Sequence, residues 1–209
     1  MPNSTITRND QAPLRARMRQ MSEIIVLART RVMATDALLR NYRDQLQELA
    51  PNKAGLAGIS TWRSLGADGG LMQLLRYTDQ AAADDALEAL MDSKLGPLVA
   101  SVTMDPPDVV LISPKKKHGK SFEDVPDGSY CSLAIRFSDP GQQADLELDT
   151  EEVLSELAYI PGFLGSAWGN NVALKEEIVS LALWADKDSL ESSIPTSHKV
   201  RLQRWQKAF

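Results

Sequence analysis

Residues 23–80 can be laid without a gap on residues 130–187 at a constant offset of 107. Under that offset Arg29 falls on Arg136, Gly55 on Gly162, Gly58 on Gly165, Leu74 on Leu181, Asp79 on Asp186, and Tyr77 on Trp184. A whole order of segments recurs with these residues. A chain of 209 residues is therefore expected to be one fold built from two similar halves.

The first half opens with a β-branched run at residues 23–30, which predicts a strand. From 35 to 50, Leu38, Leu39, Tyr42, Leu46 and Leu49 recur at helical spacing, with Thr35 as N-cap. Strands follow at 56–63 and 71–77, joined by a turn containing Asp68-Gly69-Gly70. Thr78 then caps a helix over 81–91, and the apolar run 109–112 between Pro107 and Pro114 predicts a fourth strand. The second half repeats the order with a strand at 130–138, a helix at 150–159, strands at 163–170 and 178–184, and a helix running toward Trp205. At the same offset its fourth strand would fall beyond Phe209, so the second half is expected to lack one.

A β-α-β-β-α-β unit carries its helices on one face of an antiparallel sheet and leaves the other face bare. Two such units can cover each other. The fold class predicted is α+β, two ferredoxin-like units packed sheet to sheet as an intramolecular dimeric α/β barrel. The division follows: a flexible arm over 1–22, a first unit over 23–113, a linker over 114–128 and a second unit over 129–209.

Composition narrows the class. The formal net charge of −5 speaks against a nucleic-acid surface, which needs clustered Lys and Arg. The basic cluster Lys115, Lys116, Lys117 and Lys120 around His118 reads as an exposed part of the linker. Cys131 is the only cysteine, which excludes an intramolecular disulfide and a four-cysteine zinc site. No apolar run approaches the roughly 18 residues of a membrane span. The expectation is a cytoplasmic protein that binds neither nucleic acid nor membrane.

The stretch Ile160-Pro161-Gly162-Phe163-Leu164-Gly165-Ser166-Ala167-Trp168, the strand ending in Trp184, the polar helix start at 185–190 and His198 resemble the antibiotic biosynthesis monooxygenase domain, a member of the dimeric α/β-barrel superfamily. The resemblance covers most of the second half. It extends to the first through Gly55-Leu56-Ala57-Gly58 and Tyr77. Family members usually pair two single domains as a dimer, so the resemblance implies a tandem version, either a monomeric pseudo-dimer or a homodimer. It also implies three activities: oxygenation of quinol-like substrates without a cofactor, haem degradation, or turnover of other small molecules.

Strand alternation suggests which side chains enter the cavity between the sheets. Ile24, Val26 and Ala28, with Cys131, Leu133 and Ile135, form an apolar set expected under the helices. Arg29 and Arg136 then look toward the cavity. On the later strands Met72, Leu74, Val179, Leu181 and Leu183 are assigned to the helices, leaving Gln73, Tyr77, Ser180 and Trp184 to the cavity. Trp62 and Trp168 differ by one residue in register, so one is expected inside and the other outside. The candidate substrate-binding residues are Arg29, Arg136, Gln73, Tyr77, Trp168, Ser180 and Trp184. No metal ligand set is present, with His198 the one candidate haem ligand, and no catalytic base stands out.

Two functions follow. One is a cofactor-independent monooxygenase-like enzyme acting on a small aromatic or enolisable molecule, with arginines stabilising the substrate anion. The other is a non-catalytic small-ligand-binding or assembly protein on the same barrel, with haem binding as a further variant.

Overall fold

The computed structural model describes residues 23–32, 37, 39–41, 43–44, 55–66, 69–92 (without the side chains of 90–92), 97, 100, 103–193 and 202–209. The arm over 1–22, much of the helix predicted over 35–50, and His198 lie outside the described residues. The strands are β1 (Ile24–Arg31), β2 (Leu56–Ser64), β3 (Gly70–Tyr77), β4 (Asp108–Gly119), β5 (Tyr130–Phe137), β6 (Phe163–Asn171), β7 (Glu177–Trp184) and β8 (Gln203–Lys207). The helices named here are α1 (Gln80–Asp92), α2 (Gln143–Leu157) and α3 (Lys187–Ser192). The described residues of 37–44 are helical too.

All neighbouring strands run antiparallel and close into one barrel in the order β1-β3-β2-β8-β5-β7-β6-β4. Cut at two places, the ring gives β4-β1-β3-β2 and β8-β5-β7-β6, each the 4-1-3-2 order of a β-α-β-β-α-β unit. This is the α+β, dimeric α/β-barrel architecture expected from the repeat. Closure leaves no open sheet edge in the ring.

One expectation is overturned by β8. The second half does have its fourth strand, and it lies between β2 and β5. Two things hid it. The connection before it is shorter than its counterpart in the first half, and Gln203-Arg204-Trp205-Gln206-Lys207 has only one apolar residue. Trp205 therefore belongs to a strand and is buried in the barrel. The segment read as linker also starts as strand, since β4 continues through Pro114 to Gly119. Pro114 is tolerated because the β4–β6 register shifts between Pro114 and Lys116, a bulge of the kind where a missing N–H does least harm.

The matched glycines and aspartates explain why the repeat is visible. Gly55 and Gly162 hold φ of 87° and 83°, and a Cβ there would come within 2.5 Å of Ala82 Cβ and 2.0 Å of Ser189 Oγ. Their carbonyls accept from Thr78 N at 2.7 Å and Ala185 N at 2.8 Å, fixing the same turn in each half. One turn later, Asp79 accepts from Ala82 N at 2.9 Å and Asp186 from Ser189 N at 2.8 Å. The cap of α1 thus comes from Asp79 rather than from Thr78.

The barrel interior is filled. Ile25, Leu27, Trp62, Met72, Leu74, Val110 and Ile112 from the first half meet Cys131, Leu133, Val179, Leu181, Leu183 and Trp205 from the second. Burying each large aliphatic side chain stabilises the fold by about 1.5–3 kcal/mol. One end is plugged by residues 120–129, which insert Phe122 and Val125. Lys207 ties that strap down, its Nζ donating to the carbonyls of Glu123 at 3.1 Å and Val125 at 2.6 Å.

Candidate functional site

The face assignments fare unevenly. Ile25 and Leu27 do point inward, as expected, but so do Cys131 and Leu133. The ladders give the reason. Ile24 pairs with Tyr77, whereas Tyr130 pairs with Trp184. Tyr77 and Trp184 are 107 apart, but Ile24 and Tyr130 are 106 apart. A one-residue difference between β1 and β2 therefore reverses the faces of β5 relative to a gapless alignment, and Arg29 and Arg136 are not equivalent.

The assignment of β3 and β7 is reversed as well. Met72, Leu74, Val179, Leu181 and Leu183 fill the barrel, while Tyr77, Ile178, Ala182 and Trp184 pack in the clusters on the helix side. Both faces of these strands are buried, so alternation of polarity cannot separate them. The drier barrel interior took the wholly apolar set, and the set with polar atoms went where helices and loops supply partners.

The seven candidate side chains accordingly fall in three places. Trp184, Trp168, Ser180 and Arg136 lie on the helix side of the second half. There Trp184 Nε1 donates to Ser132 Oγ at 3.2 Å, and its ring meets Phe163 edge-on at 5.7 Å. Trp168 Nε1 donates to Glu151 Oε2 at 2.7 Å, and Arg136 donates to Thr150 Oγ1. Burial lowers the Arg136 pKa, with Asp149 opposing. One tryptophan is inside and the other outside, as the register difference implies, but the inner one is Trp62, and the candidate cavity residue Trp168 sits in helix packing instead. Tyr77 and Gln73 belong to the first half, and burial raises the Tyr77 pKa. Arg29 stands apart at the open end of the barrel, paired with Asp108.

Gln73 leads to the site. It lines a cavity of about 230 Å³ together with Ile59, Thr61, Arg43, Glu123, Asp127, Lys207 and Phe209. The cavity lies at the seam between the two halves where β2 meets β8. That seam holds only three ladder pairs, Trp62 with Lys207, Arg63 with Gln206 and Ser64 with Trp205. Past them the chain at 208–209 still bonds to Thr61, through Thr61 N to Phe209 O at 3.0 Å and Ala208 N to Thr61 O at 2.8 Å.

Glu123 is held by Arg76, whose Nε donates to Oε1 at 2.7 Å, while Oε2 is buried without a hydrogen-bond partner. The Lys207 ammonium sits almost fully buried beside it, its pKa lowered by burial against the pull of Asp127 and Glu123. Arg43 stacks over Phe209 at 5.0 Å. The arrangement offers one carboxylate oxygen without a donor and two cations around a small space. Sequence reasoning missed Glu123 because it falls in a stretch read as linker, and Lys207 because β8 was not foreseen. Thr61 could have been found, since it occupies the position of Trp168 at the offset of 107.

Among the described residues, no group of three or more His, Cys, Asp or Glu side chains is arranged to hold a metal, and no helix is long and apolar enough to cross a membrane.

No protein-family model matches the chain, and no curated protein matches it in sequence. Solved structures match it in fold. A protein from Fusobacterium nucleatum subsp. nucleatum named "putative monooxygenase" superposes with a TM-score of 0.70 at 10% identity, covering 90% of this chain and 93% of its own. An anthrone oxidase-like protein gives 0.65 at 12% identity, covering 91% and 93%. A ferredoxin-fold protein from Listeria monocytogenes, described as related to antibiotic biosynthesis monooxygenases, gives 0.55 at 7%, covering 91% and 96%. The chain therefore has the dimeric α/β-barrel fold seen in monooxygenase-like proteins.

Proposed function

We propose that the chain is a monooxygenase-like enzyme that turns over a small aromatic or enolisable molecule in the cavity at the β2–β8 seam. The observation that carries this reading is Glu123, fixed through one oxygen by Arg76 while the other has no donor, at a cavity also lined by Lys207 and Arg43. A carboxylate so placed suits a proton acceptor, and the cations suit an enolate. In the balanced reaction an activated methylene and one dioxygen give a ketone and one water. One C–H proton goes to Glu123, the resulting carbanion reduces oxygen, and cleavage of the O–O bond leaves one oxygen in the carbonyl and one in water. The substrate supplies all four electrons, and both methylene hydrogens end in the water. A volume of about 230 Å³ is below the usual range of roughly 300–1,000 Å³ for small-molecule pockets and favours a one-ring substrate.

One observation favours a non-catalytic binder instead: Lys207 is already committed to the carbonyls of the strap. Oxygen uptake with one-ring quinols and cyclic 1,3-diketones, after flavin and metal removal, separates the two. The enzyme reading expects uptake that falls by about 10²-fold or more in Glu123→Gln. Uptake on no member of the panel, or uptake indifferent to Glu123→Gln, would leave the binder. The reading includes a cytoplasmic location, in keeping with a buried free Cys131, and a monomer, since one chain closes the barrel by itself.

A further inference from the structure

The open end of the barrel carries a second pocket, of about 650 Å³, that shares no lining residue with the seam cavity. It is bounded by the ends of β1 and β2 and the starts of β3, β4 and β8, and its charged residues are Arg29, Arg31 and Arg204 against Asp105 and Asp108. Both carboxylates are engaged. Asp108 pairs with the terminal guanidinium nitrogen of Arg29, and Asp105 takes Arg31 through Nε at 2.6 Å. Arg204 makes no ion pair among the described residues.

Donors remain after these pairings. Arg29 Nε is buried without a hydrogen-bond partner. So is the indole Nε1 of Trp205, a residue 5% exposed that lines the same pocket. Buried N–H groups in folded proteins are almost always satisfied, and two orphans at one pocket need an explanation. A net excess of one cation, two unspent N–H donors and the exposed Arg204 all call for an acceptor-rich anion. The indole, with Pro106 and Leu202 nearby, supplies a flat apolar wall.

We propose that this mouth is a binding site for a small planar carboxylate, an aromatic acid in chemical class, whose carboxylate accepts from Arg29 Nε and Trp205 Nε1 after a small side-chain adjustment and whose charge is matched by Arg204. The site is independent of the chemistry at the β2–β8 seam.

Benzoate is the probe, with neutral benzamide as its control. In ¹⁵N-labelled protein the Trp205 indole N–H signal, assigned by its disappearance in Trp205→Phe, should move on benzoate titration and stay in place with benzamide. Arg29→Lys keeps a cation for Asp108 but removes the Nε–H, and it should weaken binding at least tenfold. Arg204→Gln, at an exposed side chain, should weaken it severalfold and flatten its salt dependence. The proposal is overturned if benzoate leaves the Trp205 signal unmoved in the folded wild-type protein. It is equally overturned if benzamide shifts the signal as strongly, or if a folded Arg204→Gln binds benzoate as the wild type does.

Discussion

The two seams that join the halves occupy equivalent places in the barrel and are built differently. The β4–β6 seam holds seven ladder pairs, from Ile112 with Asn171 to Gly119 with Gly165. The β2–β8 seam holds three. At the long seam Trp168 lies on the outer face, tied to Glu151 of α2. The same helix draws in the basic stretch of β4, with Lys115 bonded to Glu147 at 2.7 Å and Lys116 paired with Glu151. At the short seam the equivalent position is Thr61, and a cavity stands where the indole would be. Equivalence here rests on the ladders, in which Thr61 faces Gln73 and Trp168 faces Ser180. The two halves therefore share their turns and caps and differ where they meet, one contact closed by an aromatic and ion pairs and the other hollow and charged.

The comparison can be broken most forcefully at Trp168. Trp168→Thr gives the long seam the residue of the short one, and it should destabilise the protein by about 3–5 kcal/mol through lost burial and a residual cavity. Urea denaturation measures this, and a loss below about 1 kcal/mol would mean the indole does not seal that seam. The reciprocal Thr61→Trp should fill the hollow seam, abolish turnover or binding there, and change stability by about 1–3 kcal/mol in the unfavourable direction if the side chain overpacks. Benzoate binding at the mouth should survive it. Retained turnover would put the reaction elsewhere.

The smallest effect concerns the ion pairs of the long seam. Burial pushes Glu147 up, but hydrogen bonds from Lys115, Asn170 and Gln143 outweigh it and hold the carboxyl below its ordinary value of 4.5. Glu151 is likewise lowered overall, with Lys116, Trp168 and His118 outweighing burial. A carboxylate with a depressed folded pKa contributes stability that is present above its unfolded value and lost as pH falls through its folded one. The pairs should therefore support the fold at neutral pH and fade below about pH 4.5. With partly exposed partners the effect of Glu147→Gln should stay within about 1 kcal/mol. Thermal melts of wild type and Glu147→Gln should differ at pH 7 and converge near pH 3; a gap that persists in acid would show the helix is held by packing alone.

Much of the strand pattern was legible because it rests on local signals. β-branched runs, the Gly55 and Gly162 turns and the aspartates before α1 and α3 recur at one spacing. The helix α2 begins at Gln143, two turns earlier than expected. Its first turns, Gln143-Ala144-Asp145-Leu146-Glu147-Leu148-Asp149, are rich in acids whose purpose becomes visible only when Lys115 and Lys116 lie alongside. Of the candidate residues, Arg29 faces inward as strand alternation implies, whereas Gln73, assigned to the space between the sheets, lines the seam cavity from the opposite face of β3. Glu123 and Lys207 were not legible, because one lies in an irregular strap and the other in a strand that exists only as a bridge between β2 and β5.

The sequence by itself determined that there are two related halves, the order of their elements and the turns that shape them, since each depends on residues close along the chain. Tertiary structure decided which face of each strand looks inward, where the last strand goes and which seam closes. Those outcomes depend on register across ladders between strands far apart in sequence and on the volume left over when two sheets meet, as between Cys131 and Trp205 or Thr61 and Lys207. No local pattern encodes that remaining volume, which is why two halves so alike in the order of their elements did not reveal which of the two seams was hollow.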